Sequence, residues 1–214
     1  MAWRFEKQLR FLIFIFFLVG AAGIMIPGTH DLFISLFPFV ILLSLFLTLL
    51  YHRNRLDVKT AVGLLIIGIA GFFIEVIGVE THLVFGDYYY GNTLGIKQLN
   101  TPLLIGVNWI LLVYVTGSIS DRLSDNSIVK VVTASLLMLV YDILLEQSAA
   151  DLDMWYWKNN IIPLRNYIAW FVIAVIFHAL LQWRKIRANS PMAFPVFISQ
   201  IIFFLILMIF FRLQ

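Results

Sequence analysis

Residues 60–80 read TAVGLLIIGIAGFFIEVIGVE, with no charge before Glu75 and only Glu80 after it. As an α-helix, an apolar run of about 20 residues matches the hydrocarbon thickness of a bilayer. A membrane β-strand would instead alternate in polarity over about ten residues. Six comparable runs accompany it, at residues 9–27, 32–51, 102–119, 127–148, 166–183 and 192–212. The chain is therefore read as one domain over residues 1–214: an all-α, polytopic membrane helix bundle of about seven transmembrane helices. The first run is too long for a signal-peptide core, ends at Pro27-Gly28 and is followed at once by another, so it is read as a span.

Composition agrees. Of 214 residues, 62% are hydrophobic and 13% charged, with mean hydropathy +0.95. Soluble domains are about half apolar and a quarter charged. A soluble enzyme, a nucleic-acid binder and a disordered chain are excluded. The net charge of +3 is too mild to imply a polyanionic partner. With no cysteine, disulfides, thiol catalysis and cysteine-held metals are excluded too.

Basic residues set the orientation. Arg4, Lys7, Arg10, Arg53, Arg55, Lys59, Arg122, Lys130, Arg184, Lys185 and Arg187 fall on one side, leaving Lys97, Lys158, Arg165 and Arg212 on the other. The N-terminus is expected in the cytoplasm and the C-terminus outside, in the cell's inner membrane. Seven spans invite comparison with retinal proteins, but the last run lacks the lysine a Schiff base would need.

Ionisable side chains inside a span are costly and mark functional sites. Glu75 and Glu80 lie in the outer half of the third run, and Asp142 and Glu146 in the outer half of the fifth. Asn108 enters the fourth run at a similar depth. Asp142 and Glu146, four apart, share a helix face. Glu75 and Glu80 are about 140° apart around their helix. Near helix ends, Glu80 and Glu146 could reach water; Glu75 and Asp142 are deeper and short acidic chains snorkel poorly. His178 sits toward the other side and is read as a packing residue.

The two long outer loops carry Tyr88-Tyr89-Tyr90 and Trp155-Tyr156-Trp157. Interfacial aromatic belts account for single rings, but two matched triplets suggest descent. Nine residues separate Glu80 from Tyr89 and Glu146 from Trp155; seven separate Pro102 from Trp109 and Pro163 from Trp170. Spans 3–4 and 5–6 are therefore read as a degenerate internal parallel repeat, with a site between its halves.

The run Glu75-x-x-Gly78-Val79-x-Thr81-x-x-x-Phe85-Gly86-x-Tyr88-x-Tyr90, then Leu94-Gly95, Pro102-Leu103 and Trp109, resembles the carotenoid-biosynthesis membrane family that includes the carotenoid 1,2-hydratases. So does Asp142-x-x-x-Glu146 followed by Trp155-x-Trp157, Pro163, Asn166-Tyr167 and Trp170. Where that family often has glycine after the threonine, this chain has His82.

The resemblance implies acid-catalysed hydration of a terminal ψ-end C1=C2 bond to a tertiary alcohol, without cofactor or metal. That reaction needs a protonated acid, a base for water and a wall that tolerates a cation. A carboxyl group in low dielectric keeps its proton near neutrality. Aromatic faces each stabilise a cation by about 0.5–2 kcal/mol. Asp142 and Glu75 are assigned as the acid and its partner, in an order left open, and Glu146 or Glu80 would hold or deprotonate the water. Tyr88, Tyr90, Trp109, Trp155, Trp157 and Trp170 would form the wall, and Asn108 and Asn166 would orient the carboxyl groups. The expected partners are the carotenoid and the bilayer, with no nucleic acid; a homo-oligomer or docking to other carotenoid enzymes is left open.

Related cyclases begin with the same protonation, so cyclisation is the first alternative. A proton-coupled transporter or a carotenoid-binding protein is the second, although few polar groups continue toward the cytoplasmic half. A prenyltransferase built on Asp121-x-x-x-Asp125 is set aside, because Asp121 and Asp142 fall at opposite membrane faces and cannot share a metal cluster.

Overall fold

A computed structural model of the chain describes residues 5–53 and 56–213; Arg4 and Arg55 of the basic set lie outside them. The helices are α1 (Glu6–Met25), α2 (His30–Ser35), α3 (Phe37–Leu50), α4 (Val58–Thr81), α5 (Leu104–Leu123), α6 (Ser127–Glu146), α7 (Leu164–Trp183) and α8 (Ala193–Arg212). Among the described residues, six of them, all but α2 and α3, are long and apolar enough to cross a membrane.

The run expected as one helix over 32–51 is instead divided between α2 and α3. Pro38 stands in the first turn of α3. It has no N–H to donate and its ring crowds the carbonyl four residues earlier, so the helix cannot run through. The divided segment still returns the chain along the bundle. Phe37 and Ile41 lie beside Leu94 at one end, and just past α3 Arg53 donates its backbone N–H to Asn189 at the other, at 2.7 Å. The polar groups freed at the end of α1 are satisfied locally, as a membrane requires. Thr29 Oγ1 donates to the Gly23 carbonyl at 2.7 Å, and His30 Nδ1 lies 2.8 Å from the Ile24 carbonyl.

Helix α5 is the axis of the bundle, packed by α3, α4, α6, α7 and α8. A helix apolar on every side belongs inside, and Leu111 to Val115 are buried without a break. Its approach to α4 depends on two glycines. A Cβ on Gly106 would lie 2.6 Å from the Gly68 carbonyl oxygen, so the backbones touch where any side chain would separate them.

Charge divides between the two ends as the sequence suggests. At one, Arg10 and Arg53 pair with Glu6, Lys130 pairs with Asp121 at 2.9 Å, and Arg122 donates to the Ser190 carbonyl at 2.7 Å. At the other, Lys158 meets Asp87 at 2.6 Å and Arg212 reaches Gln147 at 2.5 Å. The start of α1 and the end of α8 therefore lie at opposite ends of the bundle. With the basic end in the cytoplasm, a phosphatase fused after residue 214 should be active outside the cell; a C-terminal tag reachable only from the cytoplasm would contradict this.

Helix α4 stops at His82, which takes the left-handed conformation at φ 57° and donates its N–H to the Gly78 carbonyl. This is the position where the resembled family often has glycine. A non-glycine residue in that conformation costs about 1 kcal/mol or more, and the exposed pair with Asp87 offsets little of it. His82→Gly should therefore stabilise the protein by about 0.5–1 kcal/mol, measured as a higher unfolding midpoint in detergent.

Candidate active site

Two loops close one end of the bundle, 83–103 after α4 and 147–163 after α6. Their aromatic triplets are short strands, β1 (Tyr88–Tyr90) and β4 (Trp155–Trp157), paired antiparallel with Tyr89 opposite Tyr156. Side chains alternate across a strand. Tyr89 and Tyr156 therefore stack on the outer face, 5.3 Å between ring centroids, while Tyr88, Tyr90, Trp155 and Trp157 point inward and are buried. The pairing continues past the strands. Gly91 donates to the Met154 carbonyl at 2.9 Å and Thr93 Oγ1 to the Leu152 carbonyl at 2.6 Å. Any Cβ at Gly91 would lie 2.2 Å from the Asp153 carbonyl oxygen, so only glycine lets the loops meet. On the exposed rim Lys158 bridges to Asp87 and holds that carboxyl below the usual carboxylate range.

Four donors from this small sheet reach two carboxyl groups. Tyr88 and Tyr90 donate through their hydroxyls to Glu75 Oε2 at 2.7 and 2.8 Å, and Trp109 Nε1 donates to Oε1 at 3.3 Å. Trp155 and Trp157 donate through their indole N–H groups to Glu146 Oε2 at 3.1 and 2.7 Å, and Asn166 donates to Oε1 at 3.0 Å. Burial first, then the adjacent Glu75, pushes both phenols well above their ordinary range, so they stay hydroxyl donors. Asn166 Nδ2 also donates to Asp142 Oδ2 at 3.2 Å, so one amide bridges two carboxyl groups. Asp142 is fully buried, and its Oδ1 has no partner among the described residues. No cation pairs with Glu75, Asp142 or Glu146 among the described residues.

Glu75 and Glu146 face a common small cavity of about 20 Å³, room for about one water, which Phe85, Tyr88, Tyr90, Trp155, Trp157 and Trp170 also line. Trp109 stacks on Trp170 with centroids 4.4 Å apart. It is seated there by Gly71, one turn before Glu75, where a Cβ would strike the indole at 2.6 Å.

The structure thus brings together Glu75, Glu146, Tyr88, Tyr90, Trp109, Trp155, Trp157, Asn166 and Trp170, with Asp142 behind Asn166. Two expected members fall elsewhere. Glu80 is exposed and accepts from Asn100 at 2.8 Å, in the turn between β2 (Lys97–Gln98) and β3 (Thr101–Pro102). Asn108 does not orient the carboxyl groups: it lines a neighbouring cavity and its Oδ1 has no partner among the described residues. The repeat needs the same correction. By its donors, the counterpart of Glu146 is Glu75 and not Glu80, although Glu80 has the matching spacing. Glu75 lies 14 residues before Tyr89 and Glu146 lies 10 before Tyr156, a difference of about one helical turn in α4. Phe85 and Ile105 also line the cavity. An apolar side chain carries no chemical signature, and only the position of Phe85 within the motif could have marked it.

Comparison with curated proteins and with solved structures finds no match. Over residues 36–214 the chain matches the carotenoid biosynthesis protein family. That match takes in both paired loops, all three buried carboxyl groups and every helix that positions them. An integral membrane helix bundle with this matched core, the chain belongs to the carotenoid biosynthesis protein family.

Proposed function

We propose that the protein hydrates the terminal ψ-end C1=C2 bond of an acyclic carotenoid in the cell's inner membrane, using its own carboxyl groups and no cofactor. The observation that carries this reading is the pair Glu75 and Glu146, facing one aromatic-lined cavity without a cationic partner among the described residues. Burying a charge without a counter-ion is costly, so the site is suited to handing a proton on. Asp142 and Glu146 share one amide donor and cannot cheaply both be charged; this pair holds the proton, and Glu146 delivers it to the less substituted carbon C2. The C=C π pair forms the new C–H bond and leaves a tertiary cation at C1. The faces of Tyr88, Trp157 and Trp170 stabilise that cation. A water oxygen bonds to C1, and Glu75, across the same cavity from Glu146, takes the water's proton. The net change is addition of one water, with nothing oxidised or reduced, and the proton taken by Glu75 passes back across the cavity to Glu146 before the next turnover. Asp142 positions Glu146 through Asn166, whose amide donates to both carboxyl groups, and does not itself line the cavity.

In cells supplying an acyclic carotenoid, the product should gain the mass of one water, and in heavy-oxygen water without O₂ the hydroxyl should carry the label. A ringed, unlabelled isomer would make the protein a cyclase. Glu75→Gln and Glu146→Gln should each lower turnover by about 100-fold or more, and Asp142→Asn by about tenfold. Asp121→Asn, in the ion pair with Lys130 at the far end, should leave it unchanged.

The donors predict a finer contrast. Tyr88→Phe removes one hydroxyl from Glu75 and should cost about tenfold in turnover, since a hydrogen bond to a charged group is worth about 1.5–3 kcal/mol. Tyr89→Phe, one residue away but on the outer face, should behave as wild type in the same assay.

A further inference from the structure

We infer that the cleft between α1 and α3 is the channel in which a long, apolar polyene chain lies, open sideways to the lipid and leading past Asn108 to the carboxyl cavity. This inference rests on the proposed reaction for its occupant. Helix α1 packs on α8, and α3 on α5 and α8, but α1 and α3 make no substantial contact with each other. Two cavities fill the gap. The first, about 150 Å³, lies toward the strand-bearing end around Gly20, Ile24, Phe37 and Phe204. The second, about 430 Å³, continues toward the basic end as far as Leu9 and Leu47. They share Phe16 and Phe17. From Leu9 to Ile24 the cleft follows α1 for about 22 Å, most of the length of a hydrocarbon core.

An apolar cleft facing lipid would by itself mean little in a membrane protein. Continuity with the reactive site gives this one an occupant. Phe37, Ile41 and Tyr141 line both the cleft and a third, tight cavity of about 10 Å³, and that cavity shares Ile105 and Trp155 with the one holding Glu75 and Glu146. The cleft and the carboxyl groups are therefore separated only by this neck of shared side chains, which an entering chain end must part. A chain entering end-first would place its terminal double bond at the carboxyl groups and leave its length along α1, where Phe16, Leu36 and Phe39 form an exposed rim.

The chain has no cysteine, so one introduced thiol reports on one position. Gly20 lines the cleft, and a Cβ there meets only Phe203 at 3.6 Å, so Gly20→Cys fits without displacement. Labelling of this variant by N-ethylmaleimide in nanodiscs should slow about tenfold when the acyclic carotenoid is added at about ten times its dissociation constant. Leu65→Cys, on the exposed face of α4, should react equally with and without it. Protection should persist when Glu75→Gln is added, because binding in the cleft does not need the chemistry. Gly20→Trp, which fills the cleft, should raise KM at least several-fold while a short isoprenoid with the same terminal alkene is turned over as by wild type. Protection without any hydration would leave the channel standing and remove the proposed reaction. Hydration without protection at Gly20→Cys, or equal protection at Leu65→Cys, would overturn the channel.

Discussion

Antiparallel pairing of Tyr88–Tyr90 with Trp155–Trp157 is the constraint on which the rest of the site depends. Placing Tyr89 opposite Tyr156 sends both flanking residues of each triplet inward, two phenols to Glu75 and two indoles to Glu146. A shift of one residue would turn all four donors to the outside. The strands are too short to be stable alone, so they depend on the helices that end beneath them and on the close approach at Gly91. Helices and strands are thus mutually required. The bundle brings the loops together, and the loops satisfy carboxyl groups that the bundle could not otherwise bury.

The same geometry separates three acids that look alike in the sequence. Glu75 and Glu146 each accept three hydrogen bonds and face the cavity, whereas Asp142 accepts one and lies behind Asn166. Two halves of the chain meet with a carboxyl group on each side, giving an arrangement in which one side can donate a proton and the other accept it. The two-fold relation is imperfect: two phenols and an indole serve one carboxyl group, and two indoles with an amide serve the other.

Around this centre the bundle is built asymmetrically. Helix α5 is enclosed on every side, held close to α4 by Gly68 and Gly106, while α1 stands apart from α3. Close packing fixes the buried carboxyl groups, and the cleft beside α1 is the lipid-facing part of the channel we propose. A rigid core and a lipid-facing gap in one small protein suit an apolar ligand that never leaves the bilayer.

Much of this was legible in the chain itself. Run length and apolarity determine spans, because a helix in hydrocarbon must satisfy its own backbone and hide its charges; α4 to α8 accordingly lie within a few residues of the expected segments. The aromatic triplets and the costly Glu75, Asp142 and Glu146 also stood out, since burial makes such residues expensive wherever they occur. Less followed from local reading. Pro38 was visible, but its division of the run at 32–51 follows from a lost N–H and a crowded carbonyl that hydropathy does not weigh. Glu80 had the right spacing, and only the rotation of α4 against α5 put Glu75 inward in its place. Asn108 had the right depth, yet it faces a different cavity. The register of two loops about 65 residues apart, and the gap between α1 and α3, depend on contacts distant in sequence. Local periodicity sets which face of a helix is apolar; only packing against the other helices decides what that face meets.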